Sequence, residues 1–246
     1  TVTCEDVTAT TNASGAYSMT VLSGVHSVTA SHPNYASVTH SGIIVVTGQT
    51  TTVNFQLPPT SDLFSDGFET YPDFTLTFAP WTLVDVDLSG TYGIQGYAWE
   101  NAYSPMAFII FNPTATTPPL TSLTAHGGNK MACSFASTTP PNNDWMITPQ
   151  LSGASSIKFW ARSYVADYGL ERFKVGVSNN TTPGSFTIIS GANYIQAPVE
   201  WTEYTYQITQ PGPLYIGIQC LSNDAFFFCV DDVTVAGNDV NDPEVP

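Results

Sequence analysis

Along most of the chain apolar and polar residues alternate in short runs, and helical spacing is almost absent. Runs of about five to eight residues recur at 17–22, 26–30, 42–46, 51–57, 156–161, 173–178, 214–221 and 226–235, each broken by Gly, Pro, Asn or Ser. A period of two puts one face of a strand in a core and the other in water. Many short strands with frequent turns predict an all-β protein built of sandwiches. The best internal boundary is Gln56-Leu57-Pro58-Pro59-Thr60-Ser61-Asp62, where two prolines end a strand-like run and a polar stretch follows. This predicts a small β-sandwich over 1–58 and a larger one over 61–237. The tail at 238–246 has no core pattern and reads as a linker.

Composition narrows what such a protein does. Hydrophobic residues make up 42% of the 246 and charged residues only 10%, enough apolar surface for substantial cores under a lightly charged exterior. Five Lys and Arg stand against 20 Asp and Glu, a net charge of −15. Such a surface repels a phosphate backbone and an anionic membrane, so nucleic acid is excluded as a partner. It favours divalent cations instead, of which calcium is the plentiful one outside cells. No apolar run approaches the roughly 20 residues of a membrane span. The chain opens on Thr1 with no signal peptide, which is expected of a mature or processed fragment of a secreted protein. Sequons at Asn12, Asn179 and Asn180 carry little weight in a chain so rich in Ser and Thr.

In the first unit a turn at Thr11-Asn12-Ala13-Ser14-Gly15-Ala16-Tyr17 precedes a strand, and Ser23-Gly24-Val25-His26 turns into the next, followed by His32-Pro33-Asn34-Tyr35. This order resembles the carboxypeptidase regulatory-like domain, a small Ig/prealbumin-like β-sandwich. Members of that family carry a further strand or two before the segment matched by Thr1-Val2-Thr3-Cys4. Either that sequence lies upstream in the intact protein, or a neighbouring subunit supplies a strand, as in a polymer.

In the second unit six motifs follow in order: Gly67-Phe68-Glu69; Trp81 to Gly90 with Asp85 and Asp87; Gly96-Tyr97-Ala98-Trp99; Asn143-Asp144-Trp145-Met146-Ile147-Thr148-Pro149; Ile157-Lys158-Phe159-Trp160; and Val230-Asp231-Asp232-Val233. Their order resembles the cleaved-adhesin, MAM-like jelly rolls of gingipains and haemagglutinins. The resemblance implies a two-sheet jelly roll, adhesion rather than catalysis, and structural Ca2+. It places the metal residues at Glu69, Asp85, Asp87, Asp231 and Asp232. The family's loop carries a second Asp-Gly where this chain has Leu88-Ser89-Gly90, which weakens a site there.

The residues also argue for calcium by themselves. The ion takes six to eight oxygens, several from carboxylates. Asp231 shares strand parity with Val233 and Val235, so an inward-facing series would carry its carboxylate inward, where an unpartnered charge is costly. With so few basic residues a cation is the natural partner. Asp66 is a further candidate ligand. Asp144 reads as an Asx-type turn beside a buried Trp145, and Glu171 as a strand-edge ion pair with Arg172 or Lys174. A second cation at either is the sharper alternative.

Four cysteines, Cys4, Cys133, Cys220 and Cys229, match no zinc spacing. Parity sets Cys220 opposite Cys229 across a turn at 222–225, as a disulfide or as two buried thiols. Trp81, Trp99, Trp145 and Trp160 read as core. Phe226-Phe227-Phe228 as a regular strand must turn one ring outward, and with Tyr92, Tyr97 and Tyr103 in the irregular stretch 92–119 it is a candidate contact surface. No catalytic constellation is visible: His26, His32, His40 and His126 are scattered, and nucleophile-elbow, zincin and phosphate-loop motifs are missing. The expectation is a non-catalytic extracellular adhesion or recognition module that binds a protein or glycan at the cell surface. The alternatives are a structural subunit of a filament or surface layer, in which copies of the chain assemble by strand complementation, and an accessory domain of a larger secreted hydrolase.

Overall fold

The computed structural model describes residues 1–32, 35–57 and 60–238. The Pro58-Pro59 boundary, Pro33-Asn34 of the first unit and the linker expected at 239–246 lie outside the described residues. Two compact units are present, one centred on Thr1–Ser61 and the other on Asp62–Ala236.

In the first unit β1 (Val2–Cys4), β2 (Val7–Ala9), β3 (Gly24–His32) and β4 (Tyr35–Val45) form one antiparallel sheet in the order β2-β1-β3-β4. Its inner face buries Val2, Cys4, Val28 and Ala30. Over that face lie two extended segments, 17–21 and 53–57. Tyr17, Met19 and Val21 of one, and Phe55 and Leu57 of the other, pack on this small core. Both keep the alternation seen in the sequence, yet neither joins a strand ladder among the described residues. The covering layer is therefore held by side chains, such as the Tyr17 hydroxyl on the Val53 carbonyl at 2.8 Å, rather than by a second hydrogen-bonded sheet.

The second unit is a sandwich of two six-stranded sheets. Its strands are β5 (Thr60–Asp66), β6 (Thr82–Asp85), β7 (Ile109–Phe111), β8 (Met131–Phe135), β9 (Asp144–Ile147), β10 (Ala154–Ser163), β11 (Arg172–Ser178), β12 (Thr187–Ile188), β13 (Ile195–Gln196), β14 (Thr202–Gln207), β15 (Tyr215–Cys220) and β16 (Phe227–Asn238). One sheet runs β14-β10-β16-β8-β7, with β5 also on β16. The other runs β12-β11-β15-β9-β6, with β13 also on β11. Between them Phe159, Val230, Val233 and Val235 of the first sheet meet Phe173, Val175, Ile216 and Ile218 of the second.

A second core lies on the opposite face of the first sheet. There Ile109, Phe111, Met131, Cys133, Phe135, Phe227 and Cys229 are covered by Phe74, Ile94, Met106, Leu120 and Leu123 from the flanking loops. This corrects the expectation for the Phe226-Phe227-Phe228 run. Phe227 does point away from the sandwich interior, but the long loop region covers it, so Phe227 and Phe228 are both fully buried. Sheet alternation predicts facing, and it cannot see a loop that roofs the outer face. No helix among the described residues is long and apolar enough to cross a membrane.

Candidate metal centre

The antiparallel pairing of β6 with β9 sets Leu83 opposite Met146, Val84 opposite Trp145 and Asp85 opposite Asp144. Two carboxylates therefore face each other where the pair ends. Immediately afterwards the chain turns sharply. Leu88 takes φ of +55°, and its amide donates to Asp85 Oδ1 at 2.7 Å. The Ser89 amide donates to Asp87 Oδ1 at 3.1 Å, and the Asn143 amide to Asp87 Oδ2 at 2.7 Å, which folds Asp87 back against the start of β9. One oxygen from each of Asp85, Asp87 and Asp144 lies within 4.8 Å of the others, a cluster able to hold a metal ion.

Asp144 is the member that makes this cluster unusual. Its side chain is buried, 1% exposed. Ser134 Oγ and Asn142 Nδ2 donate to its Oδ2 at 2.9 and 2.8 Å. Its Oδ1 is buried with no hydrogen-bond partner, and an acceptor in that state costs about 1–3 kcal/mol. Burial pushes the Asp144 carboxyl up to about 8, the charges of Asp87 and Asp85 add to the rise, and the two hydrogen bonds oppose it. Asp85 is raised as well, by burial first. Even at 4.8 Å, the upper limit of these separations, two carboxylate charges would repel by about 3–4 kcal/mol at an effective dielectric constant near 20. The Lys-carboxylate pairs among the described residues, Lys130 with Asp73 and Lys158 with Glu203, lie elsewhere. Protons or a cation must neutralise the cluster. Its donors are all carboxylate oxygens, the set that hard divalent cations take and that zinc and copper sites do not favour.

The sequence suggests a turn residue at Asp144, with a second cation there as the alternative, but does not join it to Asp85 and Asp87. The signal that would have found it is the register of two strands far apart in sequence, which one sequence does not disclose. The buried Trp145 of that reading does hold, but the Asn143 side chain bonds other side chains rather than the backbone amide that an Asx turn uses. Asn143 Oδ1 accepts from Trp145 Nε1 at 3.0 Å and from Gln219 Nε2 at 2.9 Å, bracing the end of β9.

The other three expected ligands gather elsewhere, around residues 126–130. Glu69 Oε1 accepts the Asn129 and Lys130 amides at 2.9 and 2.7 Å. Asp231 Oδ2 accepts the His126 and Gly127 amides at 2.9 and 3.1 Å, and its Oδ1 accepts the Asp232 amide at 2.8 Å. Asp232 Oδ2 meets His126 Nδ1 at 2.6 Å. Both loop glycines lie close against these carboxylates. A Cβ on Gly127 would stand 2.8 Å from Asp232 Oδ2, while Gly128 takes φ of +60° and a Cβ there would collide with the Glu69 carboxylate. The five expected residues thus fall into two groups, Asp85 and Asp87 with Asp144, and Glu69, Asp231 and Asp232 with the loop.

Asp231 is fully buried, but the parity argument for it needs correcting. Phe228 and Val230 face the inter-sheet core before Asp231, and Val233 and Val235 after it, so alternation slips by one. Asp232, at φ +47°, is where the slip occurs. Burial raises the Asp231 carboxyl to about 7, and the amides of Gly127, Asp232 and His126 oppose the rise. Asp66 ties its surroundings together, accepting from the Phe68 amide at 2.8 Å, Trp81 Nε1 at 2.7 Å and the Tyr71 hydroxyl at 2.5 Å.

Two further expectations change. Glu171 is not an edge ion pair; it is buried, and its Oε1 accepts the Phe226 amide at 2.6 Å. Burial raises its carboxyl to about 7. Cys220 and Cys229 do not face each other, because β15 and β16 part into opposite sheets. Cys229 instead lies opposite Cys133 of β8, and all four cysteines are free thiols. The histidines already have local tasks. His26 joins Glu5 to the Leu22 carbonyl, and His126 stacks on Trp160 at 3.9 Å.

Residues 1–58 match the family model of the carboxypeptidase regulatory-like domain. No curated protein matches the chain in sequence. Among solved structures, the K2 cleaved adhesin domain of Lys-gingipain superposes with a TM-score of 0.54 at 21% identity, covering 71% of this chain and 99% of that domain. The K1 cleaved adhesin domain of Lys-gingipain from Porphyromonas gingivalis W83 superposes with a TM-score of 0.51 at 18% identity, covering 73% of this chain and 98% of that domain. At these identities the likeness is one of fold. The chain thus joins a carboxypeptidase regulatory-like segment at residues 1–58 to a β-sandwich with the fold of the cleaved adhesin domains.

Proposed function

We propose that this chain is a non-catalytic extracellular adhesion or recognition module of a secreted bacterial surface protein. In this reading its larger sandwich is made rigid by a structural calcium ion at Asp85, Asp87 and Asp144. The observation that carries the metal is the orphaned, fully buried Asp144 Oδ1 beside two more carboxylates. A calcium ion would satisfy that oxygen and cancel the repulsion in one step. The ion would stitch β6 to β9 and fix the turn at 86–90, with no chemistry at the metal. A second calcium at Glu69, Asp231 and Asp232 belongs to the same proposal, since each carboxylate offers about four lone-pair sites, more than the loop amides use. The adhesin fold supports a binding role, and a protein or glycan at the cell surface is the partner proposed. Calorimetric titration of the chelator-treated chain tests the metal. Saturable calcium binding that loses the Asp85–Asp87–Asp144 site on replacing Asp144 supports it, and no heat up to millimolar calcium sinks it.

One observation favours a second reading, in which copies assemble by strand complementation. The two extended segments of the first unit, neither in a ladder among the described residues, line a cleft of about 1200 Å³ together with the inner face of the sheet. Backbone groups left without ladder partners are a template for an added strand. Light scattering coupled to size exclusion separates the readings: filaments or concentration-dependent oligomers favour assembly, and a strict monomer at high concentration excludes it.

A further inference from the structure

We infer that Cys133 and Cys229 close into a cross-strand disulfide when the chain folds in an oxidising compartment. The two residues are direct partners in the β8–β16 ladder, and their sulfurs lie 3.4 Å apart. The ladder holds on either side of them, with Ser134 opposite Phe228 and Ala132 opposite Val230, while β7 fixes the other edge through Ile109 opposite Cys133. Directly opposed antiparallel residues have Cα atoms about 4.5 or 5.5 Å apart. Both values fall within the range of about 4.4–6.8 Å that a disulfide spans. The backbone can stay where it is. Side-chain rotation alone has to bring the sulfurs to about 2.05 Å, a movement of roughly 0.7 Å for each.

The other cysteines are not so placed. Cys220 stands opposite Phe173 and Asp144 in the other sheet, and facing sheets lie about 10 Å apart, beyond disulfide reach. Cys4 stands opposite Val7 and Val28 in the sheet of the first unit, with no cysteine as a ladder partner. Both thiols of the proposed pair are fully buried, between Phe135 and Phe227 on their own strands and Ile109 and Phe111 on β7. An oxidant can reach them only before the loops seal that core, so the bond forms during folding. The oxidant is a disulfide RSSR, either oxidised glutathione or a dithiol oxidoreductase. The two cysteine thiols give up two protons and two electrons to form the S–S bond, and RSSR leaves as two RSH.

The bond would do more than staple a core. Cys229 lies two residues before Asp231, and β8 begins directly after the 126–130 loop. Joining the strands there holds the Asp231 carboxylate in register with the loop amides it accepts from, and Asp232 beside His126 Nδ1. The inference does not depend on calcium.

The test is to refold the full chain in a glutathione redox buffer and map its peptides, with calcium and with chelator in parallel. The expected product is about 2 Da lighter than the reduced chain, has two titratable thiols in denaturant, and yields one linked peptide pair containing Cys133 and Cys229. A loop this long predicts a Tm about 10 °C below that of the oxidised protein after reduction. Cys220→Ala should leave the linkage intact, and Cys133→Ala should abolish it. Four free thiols in correctly folded protein, or a linkage to Cys4 or Cys220, overturns the inference in either buffer.

Discussion

Replacing Asp144 by Asn removes the most buried carboxyl of the carboxylate cluster, and the stability it returns should be large without calcium and mostly offset with it. In the metal-free protein the Asp144 carboxyl stands at about 8, against about 3.9 in an unfolded chain. The folded state therefore keeps a proton that the unfolded chain has lost. Stability from this group is complete below about pH 4, falls as pH rises, and levels off above about pH 8. At about 1.4 kcal/mol per pH unit, moving from pH 4 to pH 7 removes about 4 kcal/mol. Asn does not titrate. It keeps an oxygen for Ser134 and Asn142 and turns an N–H₂ group toward Asp85 and Asp87. At pH 7 in chelator the variant should thus exceed the parent by about 3–4 kcal/mol, or about 10 °C in Tm. Calcium at about 100 times its Kd returns about 2.7 kcal/mol to the parent and far less to the variant. Scanning calorimetry at pH 5 and 7.5, each with chelator and with millimolar calcium, gives all four values. An Asn variant that melts below the parent at pH 7.5 in chelator refutes the electrostatic argument. One that gains as much from calcium as the parent does refutes the site.

Two more outcomes follow from buried groups outside that cluster. Glu171, raised to about 7 by burial, also holds a proton in the folded state, so its contribution is full below about pH 4.3 and lost by about pH 7. Glu171→Gln keeps an acceptor for the Phe226 amide, and urea melts should show a flatter loss of stability between pH 5 and 7.5; an unchanged slope counts against it. Gly128→Ala puts a Cβ at φ +60° against the Glu69 carboxylate and should cost about 2–4 kcal/mol by urea midpoint, whereas a loss under 1 kcal/mol means the loop is not held as described.

Period-two patterning found strands at 26–30, 42–46, 156–161, 173–178, 214–221 and 226–235, because it reports which face is buried and needs no partner, whereas the runs at 17–22 and 51–57 join no ladder among the described residues. It could not say which strands pair, and the candidate site depends on pairing. Asp85 and Asp87 were readable as candidate ligands from two acids spaced two apart before Ser89-Gly90. Asp144, some 57 residues beyond Asp87, joins them only because β6 lies beside β9. The cysteines repeat the lesson. Parity around Cys220 and Cys229 was right, but the hairpin expected between β15 and β16 does not form, since these strands part to opposite sheets. Asp231 shows a third limit: one residue at positive φ reverses the parity of everything after it, and nothing in Asp231-Asp232-Val233 announces the slip.

The same loops that hide Phe227 narrow the search for a contact surface. The 92–119 stretch was expected to bind partners, yet Ile94, Met106, Ile109 and Phe111 within or beside it are committed to the second core. What remains outward there is Tyr92 and Tyr103, the latter 61% exposed. Both are tied to the turn that leaves the carboxylate cluster. The Thr91 amide donates to the Tyr103 carbonyl, and the Gly90 carbonyl accepts from the Thr138 amide at 2.8 Å. Leu88, 75% exposed, sits at the tip of that turn. An ion that fixes Asp85 and Asp87 would therefore fix Leu88, Tyr92 and Tyr103 through a few backbone bonds. Ordering a surface before a partner arrives lowers the entropy lost on binding. In that way a metal with no chemistry of its own could still set an affinity.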